Sequence, residues 1–195
     1  DHQSQETRLA AFGLDYRHDR FRVDADIGYQ RNRVDGARQL YQVSTGVAVP
    51  DAPDAATNPN APWEFIDNEV YYGTLRGEVD VTPDITAFAA VGGHRRHMAR
   101  QVFLTRTINN SDGDLSAGNV TQRGEALHAF STNAGARAEF QTGPVDHQAV
   151  VGFDFTTRVW LAARGSHSVV ASNLYDPTFS SAPQSGLPSP SDAQK

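Results

Sequence analysis

The 195 residues carry 17 Lys and Arg against 23 Asp and Glu, a net charge of -6. That balance argues against the basic footprint of a nucleic-acid binder. With 38% hydrophobic residues, no run approaches the roughly 18–20 consecutive apolar residues of a membrane helix, although a transmembrane barrel needs apolar residues only at alternate positions. There is no cysteine, hence no disulfide framework and no thiolate metal site. Lys195 is the single lysine, a bias toward Arg that reads first as genomic composition and second as guanidinium-based anion recognition. The chain starts at Asp1 without initiator Met, basic n-region or apolar h-region, which points to a removed signal or an excised segment.

The first element is a hairpin: ETRLAAFGLDY, a turn at RHDR, then FRVDADIGYQR. Phe21, Val23, Ala25, Ile27 and Tyr29 fall on one face of the second strand, and Arg22, Asp24, Asp26, Gly28 and Gln30 on the other. Setting Tyr16 opposite Phe21 puts Leu14 by Val23, Phe12 by Ala25 and Asp15 by Arg22, so apolar meets apolar and acid meets base in one register. The second hairpin is NEVYYGTLRGEVDV, turn TPD, ITAFAAVGG; here Val81 is expected opposite Ile85, Val79 by Ala87, Gly77 by Ala89 and Leu75 by Val91. The third is AFSTNAGARAEF, turn QTGP, VDHQAVVGFDF, with Phe140 expected opposite Val145, Ala136 by Ala149 and Ala134 by Val151; Gly143-Pro144 punctuates the turn.

The hairpins are expected at about 5–31, 68–94 and 125–161. Between and after them lie long polar stretches at about 32–67, 95–124 and 162–195, rich in Asn, Asp, Pro and Gly and ending in the Pro- and Ser-rich SAPQSGLPSPSDAQK. Loops beyond about 12–15 residues are unusual in compact soluble domains, whereas outer-membrane barrels alternate short periplasmic turns with long extracellular loops. Tyr16, Phe21 and Phe140 beside the turns, and Tyr29, Tyr71, Phe130 and Phe155 toward the loops, fit two aromatic girdles, although strands favour aromatics in any case. A polar face carrying Asp24, Asp26, Arg76, Glu78, Arg137 and Glu139 suits a wet barrel interior or the solvent face of a sandwich.

The segments GLDYRHDRFRVDADIGYQ, YYGTLRGEVDVTPDITAFAAVGG, QTGPVDHQAVVGFDF and SNLYDP, in that order, resemble the barrel portion of TonB-dependent ferric-siderophore receptors. The resemblance implies an all-β fold, an antiparallel up-and-down meander of about six strands belonging to a larger 22-stranded transmembrane β-barrel. It also implies a Gram-negative outer-membrane location, a ferric siderophore as ligand, a plug domain elsewhere in the same receptor, contact with TonB through an N-terminal region, and outer-membrane lipid around the barrel. Plug, TonB-contacting segment and terminal aromatic residue are all missing from these 195 residues. Six strands alone leave two open edges that lipid does not tolerate, so transport is expected of a parent protein. A porin-like outer-membrane channel and a soluble β-sandwich binding module are the alternatives.

Ligand contacts are expected at the loop ends, from Tyr41, Trp63, Phe65, Arg95, Arg96, Arg100, Phe103 and Tyr175, with Arg106 nearby. Arg donates forked hydrogen bonds to oxygen-rich anionic groups, and aromatic rings meet the apolar parts of a chelate. The plainer expectation for each is pairing with loop carboxylates or loop packing. His94 and His97 in HRRHMAR are three apart, a metal-ligand spacing on a helix but opposite faces on a strand. Asp24 and Asp26 share a strand face as a catalytic carboxylate pair would, yet an acidic solvated row accounts for them. G-x-S-x-G, H-E-x-x-H and the P-loop are all absent. The expectation is a non-enzyme without resident cofactor, metal site or nucleic-acid partner. The N-x-S/T matches at Asn109 and Asn119 are short motifs without weight.

Overall fold

The computed structural model describes residues 3–36, 40–103, 105–183 and 186–190. The described residues form ten strands: β1 (Ser4–His18), β2 (Phe21–Asp35), β3 (Leu40–Val43), β4 (Phe65–Thr82), β5 (Ile85–Val102), β6 (Thr105–Ile108), β7 (Asp114–Leu115), β8 (Gly118–Thr142), β9 (Val145–Val169) and β10 (Ser172–Asn173). Six of them make one antiparallel meander in the order β1-β2-β4-β5-β8-β9. The other four, all short, make a second sheet in the order β10-β7-β6-β3, in which β3 runs parallel to β6. The all-β meander expected from the alternation is therefore present, and it is consistent with a stretch of a larger barrel.

Each tight turn uses only two residues. Asp19 takes a positive φ of 50° and Gly143 one of 60°; both conformations suit a short reversal, and Gly adopts them without a Cβ clash. The first hairpin consequently pairs His18 with Phe21 and Tyr16 with Val23, and Phe12 meets Ile27 rather than Ala25. The third pairs Thr142 with Val145 and Ala136 with Val151 rather than Ala149. Both registers differ from expectation by two residues, which preserves faces but changes partners. In the second hairpin Val79–Ala87, Gly77–Ala89 and Leu75–Val91 are as expected, while a bulge between Asp80 and Thr82 places Thr82, not Val81, opposite Ile85. The strands also climb into the stretches expected as loops, to Asp35, from Phe65, to Val102, from Gly118 and to Val169. Alternation continues there in mixed polarity, so a periodicity of apolar residues alone does not mark those strand ends. Of the expected loops, residues 37–39, 104, 184–185 and 191–195 lie outside the described residues.

The two faces of the large sheet differ. One carries the cross-strand rows Phe21–Val79–Ala87–Ala136–Val151, Val23–Gly77–Ala89–Ala134–Phe153 and Ala25–Leu75–Val91–Thr132–Phe155. No described residue packs a core against it: Phe12 is 64%, Ile27 61% and Phe153 65% exposed. Near the turns this face ends in Tyr16 beside His18 and in Phe140 stacked on His147 at 5.0 Å. At the other end Tyr29 and Tyr71 meet at 4.9 Å, and both hydroxyls donate to Glu69 Oε1 at 3.0 Å. Beyond them the same face becomes charged, with Arg31 donating to Asp67 at 2.6 Å and Arg33 to Asp35 at 2.7 Å. An apolar belt nine residues tall, Phe21 to Tyr29 on β2, thus lies between two aromatic borders.

The opposite face is charged near the turns. Glu78 accepts from Arg22 at 3.2 Å, Arg76 at 2.6 Å and Arg137 at 3.0 Å, and Asp80 accepts from Arg22 and from Thr86. Phe88 lies over Gly135 and Gly152, where no side chain competes for the space. The buried apolar cluster, Ile108, Leu115 and Leu174 with Tyr41 and Val43 against it, sits in the small sheet and not in the large one.

Candidate functional site

Above the charged network, the same face of β5, β8 and β9 is dominated by arginine. Arg100 pairs in register with Arg123 and Arg123 with Arg164, so three guanidinium side chains stand side by side on adjacent strands. Arg96 and Arg158 lie on this face two and three rows nearer the turns. Over these four rows the three strands carry five arginines and one carboxylate, Glu125. Glu125 is buried and pairs with Arg123, and Arg96 Nη2 lies 3.4 Å from it. Among the described residues no carboxylate pairs with Arg100, Arg158 or Arg164, and the Nε atoms of Arg96 and Arg100 are buried without a hydrogen-bond partner. Trp160 stands on the same face, 59% exposed, with the Arg123 guanidinium 5.5 Å from its ring centre. Like charges directly opposite across strands are destabilising, so the row is an electropositive wall with one aromatic beside it.

The long connections meet one another through the small sheet. β3 of the first pairs with β6 of the second, and β7 of the second with β10 of the third. Leu115, 1% exposed, is at the centre. Glu64 is buried and accepts from the Ala61 and Phe103 backbone N–H groups at 3.0 and 2.9 Å. Arg106 is buried too, lies 4.9 Å from the Phe103 ring and donates to the Val170 carbonyl at 3.0 Å. Burial pushes the Arg106 pKa down, with Tyr41 and Glu64 acting in the other direction. A cavity of about 390 Å³ opens between this sheet and the 49–60 segment, lined by Tyr41, Pro50, Pro53, Asn58, Ile108 and Leu174 among others.

The residues expected to contact ligand are divided by the fold. Tyr41 is on β3 against the buried cluster, its hydroxyl donating to Asn60 Oδ1 at 3.3 Å, and burial raises its pKa to about 12. Tyr175 donates to the Asp51 carbonyl at 2.7 Å and Trp63 Nε1 to the Ser180 carbonyl at 2.9 Å. Phe103 is buried under Arg106, and Phe65 has the Arg33 guanidinium 4.5 Å from its ring centre. Tyr41, Trp63 and Tyr175 tie the connections together, while Phe65 and Phe103 lie under guanidinium groups. Arg95, Arg96 and Arg100 are in strand β5 rather than a loop. Arg95 faces the apolar side in the row of Tyr29 and Tyr71 and donates to His97 Nε2 at 2.8 Å. Arg96 and Arg100 face the other way, into the arginine wall. Arg123, Arg164 and Trp160 join them there without having been singled out in sequence. Only the register of three strands reveals them; the alternating R-x-E-x-L of 123–127 is the one local hint. His94 and His97 point to opposite faces of β5, as strand geometry requires. Among the described residues no cluster of three or more His, Asp or Glu is placed to hold a metal ion.

No protein-family model matches the chain. The ferrichrome receptor FcuA of Yersinia enterocolitica is 29% identical over 190 residues, covering 97% of this chain. The crystal structure of BauA, the ferric preacinetobactin receptor from Acinetobacter baumannii, matches 96% of the chain with a TM-score of 0.84 and 28% identity. The chain resembles ferric-siderophore receptors nearly end to end. It spans 25% of the length of the first and 28% of the second. The resemblance noted in the hairpin segments is thereby borne out in both sequence and backbone.

Proposed function

We propose that these residues form part of the barrel wall of a TonB-dependent outer-membrane receptor that takes up ferric siderophores in a Gram-negative bacterium. The observation that carries this is the bare apolar belt of the six-stranded sheet. Nine residues between two aromatic borders match the 9–11 residues with which a tilted strand crosses a bilayer, and no described residue covers them. The opposite face, with its Arg22–Glu78–Arg137 network, suits a wet interior holding a plug domain. The three long connections, joined through the small sheet, would then form part of the extracellular mouth. The part played by the chain is binding and passage of the chelate, with TonB engaged through another region of the receptor. It carries out no catalytic step and holds no resident cofactor, the iron complex being cargo.

The test is made on the full-length protein containing these residues. It is expected in the outer-membrane fraction, and uptake of a radiolabelled ferric siderophore by its host is expected to cease when either its gene or tonB is deleted. Recovery as a detergent-free soluble monomer would favour a β-sandwich module, and TonB-independent uptake a porin-like channel.

A further inference from the structure

We infer that the ferric chelate recognised here is anionic and that the Arg100–Arg123–Arg164 row binds its oxygen atoms, with Trp160 flanking it. The inference rests on the siderophore-receptor proposal and narrows it to a ligand class. Other like-charge pairs in the large sheet show what is unusual about this one. Arg31 lies opposite Arg8, but Arg31 is paired with Asp67 and Arg8 with Glu6. Arg22 lies opposite Arg17 and is paired with both Glu78 and Asp80. In the row above, only Arg123 has a carboxylate, and Glu125 serves Arg96 as well. Arg100 and Arg164 flank it with none among the described residues, and the Arg100 Nε is buried and unpartnered.

Three guanidinium groups on adjacent, in-register strands present forked donors of the kind that carboxylate or catecholate oxygens accept. An anion there would relieve the repulsion that the register imposes, and a neutral hydroxamate complex would leave it in place. Trp160 supplies a flat apolar surface, already beside Arg123, for an aromatic or apolar part of the same ligand.

The full-length receptor in detergent, titrated by tryptophan fluorescence, distinguishes the cases. The probes are a ferric tricatecholate, ferric citrate and a neutral ferric trihydroxamate. At least one of the two anionic complexes should bind about tenfold or more tighter than the neutral one, a comparison that requires no variant. The double variant Arg100→Gln with Arg164→Gln should weaken that anionic complex by about tenfold or more and leave the neutral one unchanged, with partial recovery in the double variant Arg100→Lys with Arg164→Lys. Heat-dependent gel mobility checks that the barrel is folded. Equal binding of anionic and neutral complexes overturns the inference and leaves the receptor proposal standing. So does full anionic affinity in the folded double variant, which would assign the row to carboxylates elsewhere in the same protein. If no ferric chelate of either charge binds, the receptor proposal and this inference fall together.

Discussion

Arginine placed along β4 offers a depth gauge for the proposed membrane belt. Tyr71 to Val79 on β4 pair with Tyr29 to Phe21 on β2, so Leu75 is the middle residue of the belt. At about 3.4 Å per residue, the eight steps from Tyr71 to Val79 span about 27 Å along the strand. A strand tilt of about 40° reduces this to about 21 Å of depth, close to the apolar band of about 25 Å found in outer-membrane barrels. Val79 then lies about 10 Å nearer one interface than Leu75. Leu75→Arg should therefore destabilise the folded barrel by about 2–4 kcal/mol, and Val79→Arg by about 0–1 kcal/mol. Thr74→Arg, one residue away but on the charged face beside Asp26, should change stability by no more than about 0.5 kcal/mol. Urea unfolding of the full-length protein in lipid vesicles measures all three. Equal losses for Leu75→Arg and Val79→Arg, or a Thr74→Arg loss as large as that of Leu75→Arg, would refute the depth argument and with it the assignment of this face to lipid.

Three further outcomes are expected. Gly135→Ala should destabilise by about 1–3 kcal/mol, because its Cβ would meet the Val151 carbonyl oxygen and the Gly152 Cα. Gly28→Ala should cost less, since the atoms in its way belong to the movable end of Tyr72; chemical unfolding of the two variants compares them directly. Glu78→Gln should cost about 1–3 kcal/mol in the same assay, since it removes the carboxylate shared by Arg22, Arg76 and Arg137. Tyr41 is held in its neutral form by burial, so the stability it contributes is complete below its ordinary pKa near 10 and is lost as pH rises toward about 12. Amide protection in β3 and β6, taken relative to the intrinsic base-catalysed exchange rate at each pH, should fall over that window in the native protein and not in Tyr41→Phe.

What was legible in the sequence was the property with a period of two. Alternation in FRVDADIGYQ assigns Val23 and Ile27 to one face and Asp24 and Asp26 to the other, and a two-residue change of register leaves that assignment intact. The register itself depends on how Asp19 and Gly143 turn the chain, a backbone property of one or two residues that hydrophobic patterning does not report. The loop sheet was not legible either. β3, β6 and β10 are separated by dozens of residues, are two to four residues long, and pair only because three connections converge above the large sheet.

The same limitation explains the expected ligand contacts. Residue type and closeness to a strand end brought Tyr41, Trp63, Phe103 and Tyr175 forward, but their hydroxyl, indole or ring groups are engaged with Asn60, Ser180, Arg106 and Asp51. A ligand reaching for those groups would first have to displace contacts that hold the connections together. Arg100 and Arg164 stand in the reverse position: they belong to regular strands, which fix their spacing, and their charges lack a carboxylate partner among the described residues. Rigid placement combined with unmet charge is what a preorganised anion site requires, and it arises here from the pairing of β5, β8 and β9, which no single stretch of the sequence contains.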